Sequence, residues 1–471
     1  MSRRRRFGRA AVPALLAGLL GTPVLAEQMR LALATPPEVQ VGEASGMAVT
    51  SRGRLFAAPR VTPLGKAAAP GFPSQVFSAA ADRAGHVVLG TGPDGRVLRV
   101  TRTGEQSELF RVDEPLVTAV LPLANGDVLA ASAPGGKIYK LTPGGKGSVW
   151  CETGERYVWA LAVRGDGTVL AATGDRGRLL KIDRNGNPSI LFDTDETHLV
   201  SLALAEDGGA WAGGSARGLV YHIDSEGHAL VVYDDELPEA RSIAVTKSGS
   251  LIVAFDAPPI SEKRPPALRL RVAGGTATAN EAMSDLDARQ PPPLQGVIEG
   301  LPSVEAEETL PLRGKVVRIA PDGAAVELWR SRGEAPFAVA LDDRERTVFA
   351  TGEPAKLWRV EGPDEIALLA TLPEAQATAF VHAGGGLVAA TSNPAATYRL
   401  EREASEAATF LSLPADAGSV ARWGTLSWRR SGSGGRAAVG HRGRPGRIHW
   451  MCTRATKTNF SVGAPTAPMW S

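Results

Sequence analysis

Four glutamates recur at matching places along the chain, each three residues before a short apolar segment: Glu114, Glu155, Glu196 and Glu334. Carboxylate oxygens are the ligands that Ca²⁺ prefers, and a ring of them would also attract a basic partner. The alternative is that each glutamate accepts backbone N–H bonds in its own turn and fixes the spacing of the units. We favour this structural role, because a residue that recurs in every repeat usually serves the repeat.

The segments that position these glutamates belong to a repeat of about forty residues. It is clearest over 158–196, and its copies start at Val76, Val117, Val158, Leu199, Ala240, Phe337 and Gln376. Each copy consists of four short strands, a to d, joined by tight turns, and Asn125-Gly126 and Asp166-Gly167 are typical hairpin dipeptides. Four strands in a unit of this length predict an all-β fold, a β-propeller with one unit per blade.

The repeat resembles the secreted bacterial β-propellers of the WD40-like or NHL-like kind, and the resemblance covers 76–413. We count seven four-stranded blades, and a half-repeat around Met47 would make an eighth. Residues 27–75 are then a lead-in, and the ring is expected to close by pairing 47–49 with the strand near Phe410. An insertion, 255–313, splits the fifth unit, and its proline content predicts an extended loop.

The loop geometry of a propeller places the glutamates and the insertion on one face. In an up-and-down blade the b-to-c and d-to-a loops open on the same face, at one mouth of the central channel. Tyr157, His198 and Arg241 lie at the start of strand a on this face. The sequence therefore predicts a mixed aromatic and polar surface for a protein or a small ligand, although aromatic residues at strand starts more often pack in the core.

A second recurring position carries basic side chains on strand c. Because strand c lies away from the channel, we expect these side chains to pair with acids on neighbouring strands rather than to bind an anion. The residues are Arg99, Lys140, Lys181, His222, Arg318, Arg359 and Arg399.

Charge and motif content exclude several classes of function. Of the 52 basic residues, five lie in the first ten residues and nine after Val420, so the body holds 38 basic against 50 acidic residues, a net charge of −12. An acidic body argues against nucleic-acid binding. The Gly-x-Ser-x-Gly, His-Glu-x-x-His and paired-cysteine motifs of common enzymes are missing, and the two cysteines, Cys151 and Cys452, make no disulfide framework.

The two ends of the chain differ from the body. Residues 1–26 have the layout of a secretory signal, with arginines before a short apolar run and a cleavage site after Ala26. This predicts a periplasmic or secreted protein without a membrane span once the signal is cleaved. Residues 414–471 are basic, with no acid after Val420, and we interpret them as a frameshifted tail or a truncated second domain.

We therefore predict an exported, monomeric propeller without a cofactor, a non-enzymatic scaffold that binds a protein or a small ligand on the face with the insertion. The alternative is a lactonase-like hydrolase or lyase. It would use a divalent metal, such as calcium, held in the channel by some of the glutamates.

Overall fold

The computed structural model describes residues 43–65, 73–258, 311–405, 407–411, 415–416, 429–431, 436–442, 447–455 and 459–461. Every regular element in these ranges is a β-strand, so the fold is all-β as predicted. No helix in the described ranges is long and apolar enough to cross a membrane. The predicted signal, 1–26, and most of the predicted loop insertion lie outside the described residues.

Four strands precede the repeats: β1 (Glu43–Ser45), β2 (Met47–Thr50), β3 (Arg54–Ala57) and β4 (Pro59–Pro63). The first four repeat units follow, each with strands a to d in chain order. They are β5 (Gln75–Ala81), β6 (Val87–Gly92), β7 (Arg96–Val100), β8 (Gln106–Arg111); β9 (Leu116–Pro122), β10 (Val128–Ala133), β11 (Lys137–Leu141), β12 (Gly147–Glu152); β13 (Tyr157–Val163), β14 (Val169–Gly174), β15 (Arg178–Ile182), β16 (Pro188–Asp193); and β17 (His198–Leu204), β18 (Ala210–Ser215), β19 (Leu219–Ile223), β20 (Ala229–Asp234).

The fifth, sixth and seventh units complete the array. They are β21 (Glu239–Val245), β22 (Leu251–Asp256), β23 (Gly314–Ile319), β24 (Ala325–Ser331); β25 (Pro336–Leu341), β26 (Thr347–Thr351), β27 (Lys356–Gly362), β28 (Glu365–Thr371); and β29 (Gln376–Ala383), β30 (Gly386–Ser392), β31 (Ala396–Ala404). Within each unit the strands pair antiparallel in chain order. Strand b is almost entirely buried in most units, because neighbouring units cover both of its faces.

The seventh unit receives its fourth strand from the N-terminal segment. Strand β4 pairs with β31, with Val61 opposite Leu400, and the seventh unit then packs beside the first. The backbone N–H of Asn393 donates to the carbonyl of Ser74 at 2.8 Å across this junction. In the described part of the chain the seven units therefore form a closed ring, the arrangement of a β-propeller.

This closure differs from the pairing expected from the sequence. Strand β2 pairs with β28, and the strand near Phe410 pairs with β1 rather than with 47–49. The physical reason lies in the prolines at both ends of β4, Pro59 and Pro63. Proline cannot donate a backbone N–H, so a strand with proline at its ends suits the outer edge of a sheet.

Glycines determine how closely consecutive units approach. Gly136 and Gly177 come directly before strand c of their units with φ of 58° and 51°, a conformation that L side chains rarely adopt. A Cβ at either position would collide with a carbonyl oxygen of the d-to-a loop that leads to the next unit, that of Glu155 or Glu196. Buried apolar side chains from neighbouring units then interdigitate, as between the second and third units.

The a-to-b turn of the sixth unit has no glycine but keeps the left-handed conformation that Gly126 and Gly167 adopt in the turns of the second and third units. Glu345 adopts the left-handed conformation there, with φ of 61°. The carboxylate of Asp342 accepts backbone N–H bonds from Arg344 and Arg346 and so stabilises the turn.

The C-terminal strands pair with N-terminal ones. Strand β37 pairs with β3 and with β34, and β36 pairs with β32, β33 and β35. Their ranges are β32 (Ala407–Leu411), β33 (Ala415–Asp416), β34 (Arg429–Ser431), β35 (Arg436–Arg442), β36 (Arg447–Ala455) and β37 (Asn459–Ser461). An out-of-frame origin of this segment stays a prediction.

Candidate functional site: the channel mouth at the third to fifth units

Each strand a carries a β-bulge near its start, at the mouth formed by the b-to-c and d-to-a loops. A bulge leaves one residue unpaired and re-aims its side chain, so the seven bulges give the mouth its own ring of side chains. The sequence repeat alone did not reveal this ring, because its residue types differ. The bulged residues are Phe77, Thr118, Trp159, Val200, Arg241, Phe337 and Thr378.

Two of the four recurring glutamates bind the backbone of the b-to-c hairpin that follows them. Glu114 accepts the N–H of Gly135 at 3.0 Å. Glu196 accepts the N–H groups of Arg217 and Leu219 at 3.0 and 3.4 Å. Burial raises the pKa of the Glu196 carboxyl, and the two backbone donors oppose that rise.

The other two glutamates bind side chains of the same hairpin. Arg176 and Arg178 donate to Glu155 at 3.0 and 3.2 Å. At Glu334 the donors are the hydroxyl of Thr351 at 2.8 Å and the ammonium of Lys356 at 2.5 Å.

Glu374 occupies the same structural place, two residues before strand β29, although the sequence repeat put it out of register. Its carboxylate accepts a hydrogen bond from the hydroxyl of Tyr398 at 2.8 Å. The recurring carboxylates therefore tie each d-to-a loop to the next b-to-c hairpin instead of converging on one point. The described residues contain no cluster of three His, Cys, Asp or Glu side chains that could hold a metal.

A continuous row of polar residues crosses the mouth from the fourth to the fifth unit. The sheets of the third, fourth and fifth units join there through single backbone pairs, Gly174 with His198 and Ser215 with Glu239. Within the units His198 lies opposite Ser215, and Glu239 lies opposite Asp256. Neighbours in such a row lie about 5 Å apart. His198, Ser215, Glu239 and Asp256 therefore follow one another along the rim.

Arg241 connects the acidic end of this row. Its guanidinium lies 2.9 Å from Glu239 Oε1 and 3.0 Å from Asp256 Oδ2, and 5.2 Å above the ring of Phe337. Glu239 Oε2 also accepts the hydroxyl of Ser215 at 3.0 Å. Arg241, predicted from the sequence as a ligand residue, is thus fixed by two carboxylates.

Asp256 is the buried acid of the row, with 5% of its surface exposed. Burial raises the pKa of its carboxyl from 3.8 to about 6, with the charge of Arg241 acting in the opposite direction. Its Oδ1 has no hydrogen-bond partner among the described residues. The insertion leaves the propeller directly after this residue, where Ala257 donates to the carbonyl of Arg313 at 3.0 Å.

The aromatic end of the mouth joins the third and fourth units. The rings of Tyr157 and Trp159 are stacked, with centroids 5.1 Å apart, and His198 meets both edge-on at 6.2 and 5.8 Å. All three side chains are half-buried. The guanidinium of Arg156 lies 5.4 Å above the ring of Tyr157, on the outside of the stack.

The recurring basic side chains lie on strand c, and several of them pair with acids. Lys140 lies 3.3 Å from Asp127, and His222 lies 3.1 Å from Asp207. Both of these acids belong to a-to-b turns, at the end of the blade opposite the mouth. The pairing agrees with the structural interpretation of this set.

The structure brings some predicted site residues together and separates others. Tyr157 and His198 share one cluster, Arg241 lies in the next unit, and the four glutamates remain in separate units. Ser215 and Asp256 were missed, although both end strand b where the repeat otherwise favours small residues. Aligning the matching position of each unit would have shown aspartate at one place and serine at two where the others have glycine or alanine: Gly92, Ala133, Gly174, Ser215, Asp256, Gly352 and Ser392.

Solved structures with the same fold include a streptogramin B lyase, with a TM-score of 0.53 and 13% identity over 73% of this chain and 97% of the lyase. A catalytically inactive virginiamycin B lyase from Staphylococcus aureus with quinupristin has a TM-score of 0.52 and 11% identity, over 72% of this chain and 99% of the lyase. The WD40 propeller domain of Doa1 has a TM-score of 0.49 and 10% identity, over 73% of this chain and 98% of that domain. No protein-family model and no curated protein matches the chain. The chain is a β-propeller repeat protein.

Proposed function

We propose that this propeller is an exported, non-catalytic scaffold that binds a protein or a small ligand at the mouth of the third to fifth units. The observation that carries the proposal is the concentration of half-buried aromatic and polar side chains in this sector. Tyr157, Trp159 and His198 form one end, and Glu239 and Arg241 form the other. Export rests on the signal-like sequence of residues 1–26.

The contacts in this sector support binding better than acid–base catalysis. The hydroxyl of Ser215 donates not to an imidazole but to the carboxylate of Glu239, which is already ion-paired with Arg241. The lone pair of His198 Nδ1 is already engaged by two N–H donors, those of Trp159 and Asp175. The recurring glutamates are engaged by their own hairpins, which disfavours the alternative of a channel metal held by them.

Photocrosslinking in the exported fraction tests the proposal. Tyr157 is replaced by p-benzoylphenylalanine, and the matched control carries the same replacement at Phe77, a 38% exposed bulge residue of the first unit on the same mouth. We expect an adduct at position 157 and none at 77. The mass increment of the intact protein distinguishes a partner protein from a small ligand. No adduct at 157, or equal adducts at both positions, would refute binding in this sector.

A further inference from the structure

At the aromatic end of the mouth, the neighbours of His198 determine which of its ring nitrogens accepts and which donates a hydrogen bond. Trp159 Nε1–H and the backbone N–H of Asp175 both donate to Nδ1 of His198, at 3.3 and 3.2 Å. An imidazole nitrogen that accepts hydrogen bonds carries no proton, so the neutral ring has its proton on Nε2. No described residue accepts a bond from Nε2, and this N–H is therefore a donor available to a ligand beside the Tyr157–Trp159 stack.

Gly174 makes this arrangement sterically feasible. It ends strand β14 directly below the point where the two rings meet, and a Cβ there would collide with His198 Nδ1 and Trp159 Nε1. Its backbone has an ordinary negative φ, so glycine is needed here to leave room for the two rings and not to allow an unusual backbone conformation. At the matching position the other six units carry glycine, alanine, serine or aspartate, but they lack this pair of rings beside it.

The charge next to the stack selects against a cationic ligand. Arg156 is exposed and lies over the outer face of Tyr157, and its guanidinium is 3.6 Å from the carboxylate of Asp175. A ring face that already carries a cation has little to offer a second one. An acceptor oxygen, in contrast, would meet the Nε2–H of His198.

We propose that Tyr157, Trp159 and His198 form a subsite for a planar, unsaturated group that carries a carbonyl oxygen. The flat group packs against the aromatic stack, and the carbonyl oxygen accepts the Nε2–H of His198. This inference rests on the proposed binding function and specifies the chemistry of what is bound. It assigns His198 the role of a neutral donor that determines specificity.

Saturation-transfer NMR on the full chain tests the subsite with two probes of similar size. Benzamide carries the carbonyl oxygen, and benzylamine replaces it with a cation. We expect benzamide to receive saturation and benzylamine to receive much less. In the His198→Phe variant, which keeps an aromatic edge but removes the donor, benzamide binding should fall about fivefold, the loss of one hydrogen bond.

Two glycine variants separate the site from the fold. Gly174→Ala should abolish the benzamide signal, because the new Cβ forces His198 and Trp159 apart. Gly165→Ala should leave the signal unchanged, because that exposed glycine of the same unit lies in open space in the a-to-b turn, at the end opposite the mouth. Melting temperatures of both variants confirm that they are folded.

Three results would overturn the inference: benzylamine binding as well as benzamide, benzamide binding equally to His198→Phe and the parent protein, or no benzamide signal. None of these three results would contradict a crosslink at Tyr157. A crosslink at 157 without benzamide selectivity would mean that the mouth binds a ligand of different chemistry. The two proposals can therefore fail separately.

Discussion

Replacing Asp256 by asparagine should make the protein more stable at neutral pH. The carboxyl is 5% exposed and Oδ1 lacks a partner among the described residues, so ionisation places a partly compensated charge inside the protein. Asparagine has the same shape and imitates the protonated acid. Arg241 keeps its ion pair with Glu239 in the variant, at 2.9 Å.

The magnitude follows from the pKa. Burial raises the pKa of Asp256 from 3.8 in the unfolded chain to about 6 in the folded protein. Between these values the folded state binds more protons than the unfolded state, so stability falls as the pH rises from 4 to 6 and stays low above it. A shift of about two units corresponds to ~3 kcal/mol of folding free energy. Asp256→Asn should therefore match the parent near pH 4 and exceed it by up to ~3 kcal/mol above pH 6.

Urea unfolding of both proteins at pH 4.5, 6.0 and 7.5 measures this difference. Other groups titrate in the same range, so the informative quantity is the variant minus the parent at each pH. Asp234→Asn is the matched control, because Asp234 is exposed at the end of β20, the outer strand of the neighbouring unit. Its effect on stability should be small, because an exposed side chain away from special contacts contributes little. A flat difference for Asp256→Asn, or a less stable variant at pH 7.5, would refute the reasoning.

Three further outcomes follow from the contacts described. Gly177→Ala should cost about 1–3 kcal/mol of folding free energy, measured by urea unfolding, because φ of Gly177 is positive and a Cβ there would meet the carbonyl of Glu196. Gly144→Ala is the control and should cost little, because Gly144 lies in open space. Saturating calcium should leave the melting temperature unchanged in a thermal-shift assay, because the recurring glutamates are held by their own hairpins, and a clear rise would restore the metal-binding alternative. Deleting 430–471 should lower the melting temperature by no more than about 4 °C, because the ring closes through β4 and β31. Deleting 27–64, which removes β4, should lower it several times as much. Equal losses in the two deletions would contradict this account of the closure.

Most of the fold was predictable because it is periodic. The strands of each unit are local, and the hairpin signals at Asn125-Gly126 and Asp166-Gly167 specify them within a few residues. The ring closure was not predictable in the same way. Strand β4 has no repeat-like sequence, and its pairing with β31 joins residues more than three hundred positions apart, so only the assembled ring decides it.

The same distinction between local and long-range contacts applies to the candidate site. The recurring glutamates could be found from the sequence because four units place them alike, and each of them contacts the b-to-c hairpin that follows it. The row from His198 to Asp256 and the stack of Tyr157 on Trp159 contain residues that depart from the repeat. Their neighbours come from other units, across backbone pairs and bulges that a single unit does not contain.

The sequence by itself determined the all-β repeat, the face that bears the insertion, and the glutamates that link one unit to the next, because each of these depends on local periodicity. Only the tertiary structure decided which side chains meet at the mouth. Packing of consecutive units brings the start of strand a in one unit close to residues of strands a and b in the unit before it. Contacts such as Trp159 with His198, or Ser215 with Glu239, then depend on how the units pack rather than on their order in the chain.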